Sequence, residues 1–139
     1  QALEAEDKQV IDGCLVLKEE EYEEEAFKSR EDFRAVLALK LKQVSQRMFQ
    51  NALNLQTVVM PSAVAIEDGD ALNSAFTGTK VENSYFPNLI RVGKGAFFNC
   101  KIRELNVHNF PAVRTIAAGA FQFCPVSSVN LPQLISIGQ

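Results

Sequence analysis

The chain has 139 residues, 47% hydrophobic and 22% charged, an ordinary balance for one well-cored soluble domain. A net charge of −3 without a Lys/Arg cluster argues against nucleic-acid binding, and no apolar run approaches the roughly 20 residues that cross a bilayer. Three cysteines, Cys14, Cys100 and Cys124, are too few and too widely spaced for a disulfide-scaffold domain.

The chain begins at Gln1 rather than at a methionine and carries no basic-then-apolar leader, so its compartment is not written in it. The first distinctive stretch is EEEYEEE, Glu19 to Glu25, which holds six of the 17 acidic residues. Such a run is a solvated face or cap, and calcium binding is disfavoured because no alternating Asp/Asn/Gly loop accompanies it. Residues Glu19 to Leu53 are rich in helix formers, with Phe27, Phe33, Leu37, Leu41, Val44 and Met48 at spacings that a helix tolerates. A helical N-terminal cap therefore competes with a diverged repeat over residues 1–43.

From there on a repeat is legible. GAFFNC, Gly95 to Cys100, returns further along as GAFQFC, Gly119 to Cys124. The phenylalanine slot recurs as Phe27, Phe49, Phe76, Phe97 and Phe121, and every interval between them lies within the repeat length of leucine-rich solenoids. A small or slim residue precedes each ring: Ala26, Met48, Ala75, Ala96 and Ala120. Five residues before the ring stand Tyr22, Val44, Val92 and Ile116, with Ile137 in a last, unfinished copy. The third copy puts Ala71 there, and EDGDA, Glu67 to Ala71, reads as a five-residue loop insertion after Ile66 has taken the apolar slot. After each ring comes a short alternation, as in LQTVVMP (Leu55 to Pro61), IRELNV (Ile102 to Val107) and VSSVNLP (Val126 to Pro132), which reads as a half-buried strand. Pro61, Pro87, Pro111 and Pro132 then end the strands, since proline has no N–H for a ladder.

FPNLIRVGKGAFFNCKIRELNV, Phe86 to Val107, and FPAVRTIAAGAFQFCPVSSVNLP, Phe110 to Pro132, resemble the BspA-like leucine-rich repeats of surface and secreted proteins. The likeness is clear over residues 44–139, with DGCLVLKEEEYEEEAF, Asp12 to Phe27, as a diverged first copy. It departs from the pattern at the cysteine slot, which reads Arg30, Ala52 and Thr79 in the first three copies, and at Ser84 in a middle strand slot. The resemblance implies a single α/β domain over residues 1–139. This is a right-handed solenoid of about five turns, with parallel strands on one face and short helices or 3-10 turns on the other. It also implies an extracellular or cell-surface location.

No chemistry of catalysis is spelled out, and an enzyme is not expected. The single histidine, His108, falls in a predicted corner, so neither a triad nor a zinc site is assembled. Cys100 and Cys124 fill a compact buried slot on successive turns. Asp68 and Asp70 read as a solvated turn, and the glycines of GKGAF serve a crowded corner rather than a phosphate. No cofactor and no metal are expected.

The remaining expectations are a binding or adhesion module for a protein or glycan partner, or a structural spacer or fragment of a larger surface protein without its own ligand. In the first case the outward strand residues carry the site: Thr57 and Val59, Asn83 and Tyr85, Glu104 and Asn106, Ser128 and Asn130. Tyr85 is the anchor, because tyrosine offers large contact area at low entropy cost. LPQLISIGQ, ending before a small-Phe turn, leaves an open C-terminal repeat edge at which self-association or a further segment is expected.

Overall fold

The computed structural model of the chain describes residues 10–70 and 73–138. β1 (Val10–Ile11) folds back on β2 (Cys14–Leu17) in the one antiparallel pair among its named strands, through Asp12 and Gly13 at φ 51° and 81°. Left-handed backbone at both central positions is the geometry of a two-residue hairpin, and Asp-Gly is a strong sequence signal for it that the repeat reading passes over. The hairpin covers the N-terminal edge strand.

From β2 onward each coil adds a strand to a first face: β3 (Ala35–Ala38), β5 (Thr57–Val59), β7 (Asn83–Tyr85), β9 (Glu104–Leu105) and β11 (Ser128–Val129). Each also adds a shorter strand to a second face: β4 (Gln43–Val44), β6 (Ala65–Ile66), β8 (Arg91–Val92), β10 (Thr115–Ile116) and β12 (Ser136–Ile137). Wherever strands of successive coils pair, on either face, the pairing is parallel. The result is a β-solenoid of about six turns rather than five. Counting phenylalanines misses one, because strands β2 and β11 lie outside the first and last rings.

The expected helices or 3-10 turns are not formed among the described residues; the second face is a five-stranded parallel sheet, joined to the first by hydrogen-bonded turns. The backbone around each phenylalanine explains why. Lys28 and Arg30 donate within their coil to the Glu25 and Phe27 carbonyls, whereas Glu25, Phe27 and Ser29 donate to Gln46, Met48 and Gln50 of the next coil. At four of the five rings the residues two before and two after are left-handed, Glu25 and Ser29, Arg47 and Asn51, Gly95 and Asn99, Gly119 and Phe123, while at Phe76 only Gly78 is. Backbone that turns left-handed every fourth residue cannot wind as a helix, and its alternate N–H groups serve the neighbouring coil instead. From residue 10 on, the helical-cap reading fails for the same reason, with β3 and β4 lying inside the helix-former-rich stretch, and its part over residues 1–9 lies outside the described residues.

The interior is a stack of rings. Phe27, Phe49, Phe76, Phe97 and Phe121 form one column, with successive centroids 5.4, 5.4, 4.9 and 5.3 Å apart and planes within 14° of parallel. Phe86 and Phe110 stack at 5.6 Å beside it and meet Phe97 edge-on. Val44, Ile66, Val92 and Ile116 are buried in the slot five before the ring or its inserted equivalent, and Ile66 pairs with both Val44 and Val92. The EDGDA insertion is therefore read correctly, while Ala71 itself lies outside the described residues. Gly93 is pressed on the coil before it: a Cβ there would stand 2.3 Å from the Ile66 carbonyl oxygen. Burial thins out at the last coil, where Val129, Ile135 and Ile137 are exposed.

Candidate binding face

Alternation on the first face buries Val36, Val58 and Leu105 and turns their neighbours outward. Register then aligns the outward residues coil upon coil. Thr57 stands beside Asn83 and Val59 beside Tyr85, while Glu104 stands beside Ser128. Asn83, Glu104, Ser128 and Asn130 are exposed, Thr57, Val59 and Asn106 are half-buried, and Tyr85 keeps 46% of its surface open. All eight residues expected from sequence thus belong to one face.

They do not form one continuous sheet. Hydrogen bonding runs from β1 through β7 and stops; β9 and β11 pair separately. Among the described residues the two blocks are stitched at the ends of the break, by Lys101 N donating to the Val81 carbonyl at 2.8 Å and Phe86 N donating to that of Asn109 at 2.9 Å. Two sequence features make the break. Ser84 occupies the slot that Val58 and Leu105 fill with apolar side chains. After Leu105, the segment Val107–Asn109 is extra relative to the other coils, which makes the Phe97–Phe121 interval longer than the Phe76–Phe97 interval before it. Asparagines hold this bulge. Asn106 N donates to Asn109 Oδ1 at 2.8 Å, His108 N to Asn106 Oδ1 at 2.9 Å, and Asn109 Nδ2 to the Glu104 carbonyl at 2.7 Å.

Between β7 and β9 lies a cleft of about 470 Å³, lined among others by Glu82, Ser84, Lys101, Arg103, Glu104 and His108. Lys101 and Arg103 enter no ion pair among the described residues. The Ser84 hydroxyl is buried at the cleft without a hydrogen-bond partner. Of the residues expected from sequence, Asn83, Glu104 and Asn106 border the cleft, and Thr57, Val59, Ser128 and Asn130 flank it at a distance of one coil. Outward alternation alone does not reach Glu82, Lys101, Arg103 and Asn109. The signals for them are a serine in an apolar slot and an overlong interval between two rings.

Some other charged groups are tied into the fold. Glu24 and Glu25 of the acidic run pair with Arg47, at 3.3 and 2.7 Å, and this bond holds the Glu25 carboxyl below its ordinary range. Asp68 of the inserted loop accepts from the Lys94 backbone N–H at 2.8 Å and from Arg91 at 2.9 Å, so this loop is a tie between coils rather than a free turn. Among the described residues no three His, Cys, Asp or Glu side chains gather as a metal site, and no helix is long and apolar enough to cross a membrane.

Parallel coils of recurring length, each with an inward aliphatic strand and a stacked ring, define a leucine-rich-repeat solenoid. The model of the BspA type leucine rich repeat region, in six copies, matches residues 18–73 and 71–139, and the chain belongs to that family. Comparison with curated proteins and with solved structures gave no match.

Proposed function

We propose that the chain is a non-enzymatic binding module of a cell-surface or secreted protein, contacting a protein or glycan partner through its first strand face. The observation that carries this reading is Tyr85, a ring open to solvent at 46% on a face whose core positions Val36, Val58 and Leu105 are buried. Its neighbour Asn83 makes no side-chain bond within the fold among the described residues, so both are free to engage a partner. The family supports a repeat module used for interactions and leaves the partner to be found.

The test is capture of extracellular-matrix proteins and arrayed glycans by the immobilised chain and by a Tyr85→Ala/Asn83→Ala variant. Capture that disappears in the variant supports the reading, and capture that survives it places the site elsewhere. Absence of capture by either favours the spacer reading. Exposed Val129, Ile135 and Ile137 support a second contact at the C-terminal edge, with a further segment or a second copy. Sedimentation of the chain beside an Ile135→Lys variant tests it: equal mass at all concentrations removes the second copy.

A further inference from the structure

We propose that the cleft between β7 and β9 is a saccharide subsite that takes one ring of a polyhydroxylated ligand; this rests on reading the first strand face as a binding surface. The cleft is built from the split itself. In a parallel ladder each strand offers alternate N–H and C=O groups to either neighbour, so those of β7 that face away from β5 turn toward the opening, while on the β9 side the Glu104 carbonyl already accepts from Asn109 Nδ2. The Ser84 hydroxyl adds a buried, unpartnered group. Backbone groups of β7 that open to the recess, above an unsatisfied hydroxyl in the inward slot, favour a ligand that both donates and accepts.

The charges select among such ligands. Lys101 and Arg103 offer donors without an ion-pair partner, while Glu82 and Glu104 offer acceptors in equal number, and only Glu104 is partly used, by Asn106 Nδ2 at 3.1 Å. A balanced set of cations and carboxylates does not favour a polyanion. It matches hydroxyls, which donate to the carboxylates and accept from the ammonium and guanidinium groups. An extended peptide adding a strand is the other ligand that unpaired edges suggest. It is disfavoured because the opening is stitched at both ends, at Lys101–Val81 and Phe86–Asn109. Only the four residues Glu82 to Tyr85 of β7 and its approach lie between those stitches, roughly 13 Å of strand. A compact ring fits a bounded recess of about 470 Å³, a size usual for small-ligand sites. Tyr85 lies outside the cleft lining, next to Ser84 in sequence and exposed on the same strand.

The test is an amide NMR titration of the full chain with the methyl glycosides of glucose, galactose, mannose and N-acetylglucosamine. An acetylated tetra-alanine amide and inorganic sulfate are titrated in parallel. Expected is a saturable shift of the Ser84, Arg103, Glu104 and His108 amides with at least one glycoside, at a midpoint of about 1 mM or tighter. Ser84→Val, which restores the apolar column, is expected to weaken this at least about tenfold while the melt is retained or raised. Arg103→Ala, at an exposed position, is expected to weaken it as well. The proposal is overturned by no glycoside response, by a response that survives both substitutions, or by a response to the peptide or sulfate alone. A chain whose partner capture depends on Tyr85 and Asn83 but which ignores every glycoside keeps its binding face and loses only the saccharide subsite.

Discussion

The Cys124 thiol donates to the carbonyl oxygen of Phe97, one coil back, at 3.0 Å, and the Cys100 thiol makes the same bond to Phe76 at 3.3 Å. The six-residue stretch that appears twice in the sequence is therefore a packing unit, in which a small polarisable donor fastens one coil to the ring-bearing turn of the last. Thr79, in the same slot one coil earlier, donates to the Phe76 carbonyl at 2.8 Å and touches the Cys100 sulfur at 3.4 Å. Cys100 is buried as the slot requires, whereas Cys124, in the coil where burial thins, is half-buried.

These environments set thiol reactivity. Burial pushes the Cys100 thiol up to about 12, and burial also raises that of Cys124. A raised value means less thiolate at neutral pH, and the thiolate is the nucleophile. Iodoacetamide at mildly alkaline pH is expected to leave Cys100 unmodified in the folded chain and to alkylate it once urea unfolds the solenoid. Mass analysis showing equal labelling of Cys100 in both states refutes the buried slot.

Ring stacking predicts where truncation is costly. Phe97 is fully buried between Phe76 and Phe121 and edge-on to Phe86 and Phe110. Phe97→Ala is expected to destabilise by about 3–5 kcal/mol through lost burial and the cavity left behind. Ile135→Ala, at a residue 73% exposed, should stay within about 0.5 kcal/mol of the parent. Urea unfolding of both variants checks the contrast; comparable midpoints would dismantle the column.

The inserted loop makes a pH-dependent contribution. The Lys94 backbone N–H and then the Arg91 guanidinium hold the Asp68 carboxyl below its ordinary range. A carboxyl whose value is lowered by folding stabilises the native state above its unfolded value, and that stabilisation is lost as pH falls through the folded value. The parent should therefore exceed Asp68→Asn in urea midpoint at neutral pH by a small margin, since the bonds are exposed to solvent. The margin should close below the ordinary aspartate range. An unchanged margin down to strongly acid pH contradicts the tie between coils.

Much of the fold is legible in the sequence because solenoid packing is one-dimensional: a slot that repeats along the chain repeats in space, so the recurrence of the Gly-Ala-Phe stretch is enough to set Phe97 on Phe121. The second sheet is not legible, because β8 and β10 are only two residues long and leave a single inward residue, Val92 or Ile116, with no alternation to read. Turns read as helices where Glu, Lys and Leu have high helix propensity, and backbone bonding to the next coil overrides it. At the first strand face, outward residues follow from alternation. The cleft does not, because it arises from what two coils fail to share, Ser84 in one and the Asn106–Asn109 bulge in the other.

That bulge changes what is expected of Asn106. Sequence places it on the outward face with Tyr85, where both side chains would be dispensable for stability. The structure makes it a staple: Oδ1 accepts from His108 N, Nδ2 donates to Glu104 Oε1, and its own N–H is held by Asn109 Oδ1. Asn106→Ala removes the two side-chain bonds, both exposed, and is expected to cost about 1 kcal/mol, each bond lying at the low end of about 0.5–1.5 kcal/mol. Tyr85→Ala, which removes an exposed ring, should leave the melting temperature nearly unchanged. Hydrogen exchange should also show His108 N–H protected in the parent and released in Asn106→Ala, with Phe97 N–H protected in both. Equal melting temperatures for the two variants, with His108 exchanging freely in the parent, would mean that the bulge is not stapled and that nothing local keeps β7 and β9 apart.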